Sequence, residues 1–455
     1  MADTSTLHFC GGVGEVTGAN FWLENKEINI LVDCGLIQGA RFCDSCNLDP
    51  FLYDPAVIDV LFVTHAHMDH IGRIPLLVER GFNGIIYSTP ATRDLVGVMY
   101  EDSLKLMVEE AHREGTEPLY SEEAVQKALS LWKTLEYHQP LALRGDFNVV
   151  LKDAGHILGS AMVEIERAGR RLVVTGDLGN SPAPLLKDTE SIAGAHYLVM
   201  ESVYGDRNHE ESEERTELLR SIITDTISQK GVLLVPAFSI ERTQVLLYEI
   251  NNLVESGLIP NVPVFLDSPL AIAVTSIYKK YAHAFNKEVR CAIKEGDDIF
   301  DFPQLNFTES VEASKEIAHT APPKIIIAGA GMSHGGRIQY HEKRYLPDPS
   351  TTLLLVGFQV AGSLGRRLQD GASRISLLGE EVSVKGRVIT LRGYSAHKDR
   401  DALLDFAAEG KETLEQIFVA MGETKASLFL AQRLRDFCEL PATVPQAGSS
   451  VELVL

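Results

Sequence analysis

The side chains best suited to chemistry lie in Val63-Thr64-His65-Ala66-His67-Met68-Asp69-His70-Ile71-Gly72. Three of the fourteen histidines fall within six residues, with an aspartate between the second and third. Imidazole and carboxylate are the donors that divalent zinc accepts. A lone histidine is more often a surface or satisfied core residue, but four ligand-type side chains in so short a run favour a metal. Ahead of them, Ile58 to Val63 is apolar and β-branched, and reads as a buried strand that delivers the cluster at its end. Side chains alternate along a strand, so His65 and His67 leave on one side. Asp69 and His70 then begin the next turn or helix and face a second point. Two pairs of ligands are what a two-metal site needs.

Further candidates recur where apolar segments end. Ile28 to Val32 ends at Asp33, which alone reads as a turn residue and beside a metal as an orienting group. Phe147 to Leu151 leads to His156, set among small residues. Arg171 to Thr175 ends at Gly176-Asp177, and Tyr197 to Met200 ends at Glu201. Val388 to Leu391 leads to Tyr394-Ser395-Ala396-His397-Lys398-Asp399. Acidic and imidazole groups at so many strand ends imply a common rim of a sheet with helices on both faces. Between these segments, 91–135 reads as helical with a second start at Ser121.

Between about residues 206 and 378 strands alternate with helices, which predicts a second α/β domain with a parallel sheet. A helix is expected over 217–229, and Ser239 is expected to cap another. The glycine-rich turn 329–337 ends in Arg337, and Arg366 and Arg367 follow. These three arginines are candidates for phosphate contact; a tight turn and a solvated helix face are the plain alternatives. After His397 come a helix over 400–408, a strand over 416–420, Met421-Gly422-Glu423, a long helix to Cys438 and a closing strand, Val451 to Leu455. That last strand is expected either to pair across a homodimer as an exposed edge or to be buried within the monomer.

Composition narrows the class. The chain has 455 residues, 45% hydrophobic and 23% charged, enough for two or three domains. A formal net charge of −21 argues against a uniformly basic nucleic-acid binder and leaves room for a local basic groove. No basic, apolar leader opens the sequence and no apolar run approaches a membrane span. The six cysteines are scattered, which fits reduced thiols and a cytoplasmic setting. Cys43 and Cys46 form a lone CxxC, a weak signal for structural zinc.

The order HxHxDH, lone His156, then Thr175-Gly176-Asp177 resembles the metallo-β-lactamase superfamily. Glu201-Ser202-Val203-Tyr204-Gly205-Asp206, the inserted α/β region and Ser395-Ala396-His397 are similar to its β-CASP branch, the RNA-processing metallo-nucleases. The resemblance implies an α/β fold: a metallo-β-lactamase αββα sandwich built from 1–205 and 379–455, with a β-CASP cap over 206–378 inserted. It implies His65, His67 and His156 as ligands of one zinc, Asp69 and His70 as ligands of another, and Asp177 as the bridge. Asp33 is then the orienting aspartate. Glu201 and His397 match the pair near the scissile phosphate, with His397 giving a proton to the leaving oxygen. Two Zn2+ per chain and single-stranded RNA as partner follow from the same resemblance. One position departs: where the family has a further histidine, this sequence has Met421. A thioether is a poor zinc partner among hard ligands, so the second site is expected to be weaker. A catalytically weakened RNA-processing subunit and a hydrolase of another ester are the competing expectations.

Overall fold

A computed structural model describes residues 4–38, 45–209, 212–357, 359–360 and 362–455. It divides into two compact units, Met1–Asn208 with His397–Leu455, and His209–Ala396. Cys43 lies outside the described residues, and with it the CxxC reading.

The first unit contains two seven-stranded sheets. One runs Ser450–Val454, Thr4–Gly11, Asn20–Glu24, Asn29–Val32, Val60–Phe62, Ile85–Ser88, Trp132–Thr134. The other runs Ala442–Thr443, Gln416–Val419, Tyr197–Met200, Arg170–Val174, Ala161–Arg167, Asn148–Asp153, Leu141–Ala142. The alternation of each strand decides what it packs on. Leu172, Val174, Tyr197, Val199 and Phe418 face Phe9, Phe21, Ile30, Val32 and Phe62 of the other sheet in one buried cluster. Their neighbours Val173, Leu198, Met200, Ile417 and Val419 pack instead with Leu403, Phe406, Leu430 and Leu434. Those four belong to the helices Arg400–Ala408 and Thr424–Phe437. Two sheets with helices outside them give the expected sandwich.

Residues 91–135 are not helical throughout. Helices span Pro90–Glu114 and Glu122–Ser130, and Trp132–Thr134 then joins the first sheet beside Ile85–Ser88. Ser121 caps the second helix through Ala124 N–H, as its type suggests. The closing strand, Ser450–Val454, pairs antiparallel with Thr4–Gly11 and is the sheet's outer strand. Its free side is capped locally: Val454 N–H donates to Tyr197 Oη at 3.4 Å and Arg170 Nε donates to Val454 O at 2.8 Å. Among the described residues no helix is long and apolar enough to cross a membrane.

The second unit holds six parallel strands in the order Leu305–Phe307, Val264–Asp267, Lys324–Ala328, Val232–Pro236, Thr352–Leu355, Arg387–Thr390. The central ones are buried along their whole length, as strands covered on both faces must be. Arg387–Thr390 was expected with 379–455 in the first unit; it pairs instead with Thr352–Leu355, and the unit runs to Ala396. The first helix of this unit spans Ser212–Ser228, longer at its start than 217–229. Ser239 is not a cap: the helix is Arg242–Glu255, and Glu241 precedes it with φ 62° and no side-chain cap bond.

Arg337, a candidate for phosphate contact, is engaged within its own unit. Its Nη1 donates to Asp267 Oδ1 at 2.7 Å and to Thr308 O at 2.8 Å, and Nη2 donates to Glu309 O at 2.8 Å. The guanidinium braces loops of its own unit. Asp267 also accepts from Thr308 Oγ1 at 2.7 Å and Ser314 Oγ at 2.6 Å, and lies 2.7 Å from His341 Nε2. Burial opposes its ionisation, but His341, Ser314, Thr308 and Arg337 outweigh it and lower Asp267 from 3.8 to about 2. A folded pKa below the unfolded one gives stability that is present above pH 3.8 and lost as pH falls toward 2. Asp267→Asn is expected to cost about 2 kcal/mol at pH 7. The gap to wild type should close between pH 4 and 2 in urea unfolding; a pH-independent gap would refute the assignment.

Of the other two arginines, Arg366 pairs with Asp370 at 3.2 Å along its helix, and Arg367 is exposed on the same helix, Leu364–Gln369.

Candidate metal centre

The strand Val60–Phe62 delivers Val63 and Thr64 to the sheet edge, and His67 is the extended residue before the short helix Met68–Ile71. That helix is stitched to the loop after Asp33: Cys34 N–H donates to His70 O at 2.8 Å and Leu36 N–H to Met68 O at 2.9 Å. The approach is so close that a Cβ on Gly35 would sit 1.5 Å from Asp69 O. Only glycine fits there.

Asp33 organises the base of the site. Fully buried and with φ 59°, it turns its carboxylate back toward the cluster. Oδ1 accepts from Thr64 N–H at 2.8 Å, and Oδ2 accepts from Thr64 Oγ1 at 2.7 Å and lies 2.7 Å from His70 Nδ1. Thr64 Oγ1 is in turn 3.1 Å from His65 Nδ1. Because the hydroxyl hydrogen goes to Asp33, its oxygen receives the Nδ1 proton of His65. Both rings thus carry hydrogen on Nδ1 and present bare Nε2 atoms upward, the arrangement that orients metal-binding histidines. Thr64 was not singled out from the sequence; its place beside a ligand at a strand end is the only signal it gives.

Four donor atoms converge above. His65 Nε2 is 3.0 Å from His67 Nδ1 and 3.4 Å from Asp177 Oδ2. His156 Nε2 is 3.3 Å from His67 Nδ1 and 3.5 Å from Asp177 Oδ2. A tetrahedral zinc with bonds near 2.0–2.1 Å requires ligand atoms about 3.4 Å apart. The cage fits. Burial and the neighbouring His65 hold His67 well below the usual imidazole range, and burial with His397 does the same for His156, which keeps their lone pairs open.

The second position is less complete. His70 Nε2 lies 3.3 Å from Asp177 Oδ1, and it is buried without a hydrogen-bond partner. A buried acceptor of that kind costs free energy unless something, such as a cation, meets it. Burial disfavours charge on His70, but Asp177 and Asp33 outweigh it and raise it well above the ordinary range, so the carboxylates favour positive charge between them. Among the described residues, Asp69 and His70 do not join Asp177 in a group whose donor atoms all lie within 4.8 Å of one another. Met421 is fully buried in the cluster between the sheets, with its N–H on Gly12 O at 2.7 Å and its carbonyl accepting from Ser202 N–H at 3.1 Å.

Asp177, Glu201 and His397 form the other converging group. Glu201 is fully buried, and Oε1 accepts from Leu178 N–H at 2.7 Å and lies 3.1 Å from His397 Nδ1. Its other oxygen accepts from Val203 N–H at 3.3 Å. His397 Nδ1 is 4.0 Å from Asp177 Oδ2. Nδ1 of His397 thus faces the Glu201 carboxylate, the setting in which an imidazole handles a proton near neutral pH. Gly179 is where the strands carrying these groups meet. It pairs with His397 in an isolated antiparallel bridge, and a Cβ there would lie 2.0 Å from Gly155 O, beside His156.

His65, His67, His156 and Asp177 converge, as do Asp177, Glu201 and His397; these residues and Asp33, Asp69 and His70 all lie in the first unit. Arg337, Arg366 and Arg367 belong to the second.

Residues 13–228 match the Metallo-beta-lactamase superfamily, 243–368 a Beta-Casp domain, and 381–445 a Zn-dependent metallo-hydrolase RNA specificity domain. The sequence is 37% identical to a protein named as a ribonuclease from Thermus thermophilus, over 87% of this chain and 89% of that protein. It is 30% identical to an RNase J-like protein of Methanocaldococcus jannaschii, over 97% of this chain and 98% of that one. A transcription termination factor of Methanosarcina mazei is 32% identical over 92% of this chain and 67% of its own length. Among solved structures, a protein of unknown function from Enterococcus faecalis shares the fold, with a TM-score of 0.56 at 13% identity, covering 99% of this chain and 100% of that one.

Proposed function

The chain belongs to the metallo-β-lactamase superfamily and carries a Beta-Casp domain, and from that premise we propose that it is a metal-dependent ribonuclease hydrolysing phosphodiester bonds of single-stranded RNA. The observation that carries the reading is the Glu201–His397 pair at 3.1 Å, set beside a four-donor cage that shares Asp177 with it. A cage alone would serve many hydrolases; the adjoining pair gives the means to protonate a leaving alkoxide.

In this reading His65, His67, His156 and Asp177 would hold one zinc, and Asp69, His70 and Asp177 would hold a second more loosely. Divalent metal there supplies a nucleophile from water near neutral pH and stabilises charge on the phosphate. Asp33 and Thr64 keep His65 and His70 in the tautomers that leave Nε2 open. Glu201 orients His397 and favours its protonated form. His397 donates that proton to the departing oxygen. Arg366 and Arg367 are candidates for remoter phosphate contact.

The asymmetry between the two positions has a measurable form. After dialysis against a mild chelator, metal analysis is expected to find about one equivalent of zinc retained and the other lost. Two equivalents surviving that treatment would show that Met421 does not weaken the second position.

A second reading, an RNA-binding subunit with weakened catalysis, draws on the same Met421. Labelled single-stranded RNA with added zinc or manganese separates the two. Cleavage by wild type that Asp69→Ala and His397→Ala both abolish supports the nuclease; binding without cleavage supports the subunit. An edge-to-edge homodimer would have to displace Tyr197 and Arg170 from Val454.

A further inference from the structure

Lys398 follows His397 directly, yet nothing above gives its side chain a task. It is only 6% exposed. A buried ammonium is costly unless it is well used. His397 faces Glu201 through Nδ1, whereas the ammonium of Lys398 reaches Ser181.

What Lys398 touches is the segment after Asp177. Its backbone N–H donates to Leu178 O at 2.9 Å. Its Nζ reaches Ser181 Oγ at 3.5 Å. The acidic residues around the ammonium are Asp188, Glu201, Glu409 and Asp399. Leu178 is the residue whose own N–H donates to Glu201 Oε1 at 2.7 Å. Leu178 therefore links both members of the proton-donating pair: its N–H holds Glu201 and its carbonyl holds the His397 segment. Lys398 reaches the segment 178–181 twice, through its backbone and through its ammonium.

We propose that Lys398 is a positioning residue for His397: by tying Ser181 and the Leu178 peptide to its own backbone, it fixes the ring of His397 against Glu201. The proposal rests on the nuclease reading for its kinetic consequence, though not for its structural one. Misplacement of a reacting group by about 1 Å can cost up to a hundredfold in rate. Lys398→Met is therefore expected to lower kcat between about tenfold and a hundredfold, with KM and bound zinc unchanged. Lys398→Arg should restore much of the loss, and Ser181→Ala should reproduce part of it.

The deciding measurement is a double-mutant cycle. In a His397→Ala background, Lys398→Met should cost nothing further, because a positioning residue has no one left to position. An equal loss in both backgrounds, or zinc loss in the single variant, would overturn the proposal. Should wild type cleave no RNA, the nuclease reading fails and the proposal is judged by histidine-selective NMR. The His397 ring signal, identified by its disappearance in His397→Ala, should shift in Lys398→Met and return toward its place in Lys398→Arg. An unmoved signal overturns it. If Lys398→Met does not fold, Ser181→Ala carries the same cycle and the same spectrum.

Discussion

Asp177→Asn is expected to remove bound metal and, with it, at least about 10³-fold in rate, because several kcal/mol of charge stabilisation depend on the metal. Asp177 lies between the two positions: Oδ2 is 3.4 and 3.5 Å from His65 and His156, and Oδ1 is 3.3 Å from His70. Burial opposes its charge, but His70 and His65 hold it well below the carboxylate range, so it stays anionic at any working pH. Asparagine keeps the shape and removes the charge, leaving three neutral imidazoles around the first position. Metal analysis and RNA cleavage on the same preparation check this. A variant with wild-type zinc and wild-type rate would show that Asp177 is a bystander.

His397→Ala should do something different. The cage does not include His397, so zinc content should match wild type and RNA should still bind. The rate should fall by about 10² to 10⁴, the usual worth of a positioned general acid. Burial disfavours its charge, but Glu201 and Asp177 outweigh it and raise it to about 8. An acid works while protonated, so wild-type kcat should decline as pH rises through about 8, or somewhat lower with metal cations beside it. That alkaline limb should be missing from the variant. A limb that persists unchanged would assign the proton to another group.

How legible each part was follows from what a sequence encodes. Donor type and spacing are local, so His65, His67, Asp69 and His70 could be read directly, and strand ends marked Asp177, Glu201 and His397. Alternation is local too: successive residues of Tyr197–Met200 turn to opposite faces, although all four are apolar and buried and only the fold shows which face meets the other sheet. Partner is not. Arg387–Thr390 reads as a half-buried strand, and nothing in it says which sheet it joins; hydrogen bonds to Thr352–Leu355 decide that. Arg337 looked like an anion contact because a glycine-rich turn precedes it. Only the fold reveals that Asp267 and two carbonyls have already engaged it. Ser239 is a good cap by type, yet the backbone turns at Glu241 and the helix begins later. Thr64 carries no signal beyond position, since a threonine after a strand serves equally as strand, cap or hydrogen-bond relay.

The pairing of Thr4–Gly11 with Ser450–Val454 bears on how such a protein is made. These partners are separated by almost the entire sequence, and the second sheet likewise waits for Gln416–Val419 to lie beside Tyr197–Met200. Contacts this remote along the chain form late, after the loop between them has been closed. During synthesis the histidine cluster emerges early, but His397 appears only after the second unit, and the outer strand later still. A growing chain therefore offers the candidate ligands well before His397, and both sheets are completed only after the second unit has been made.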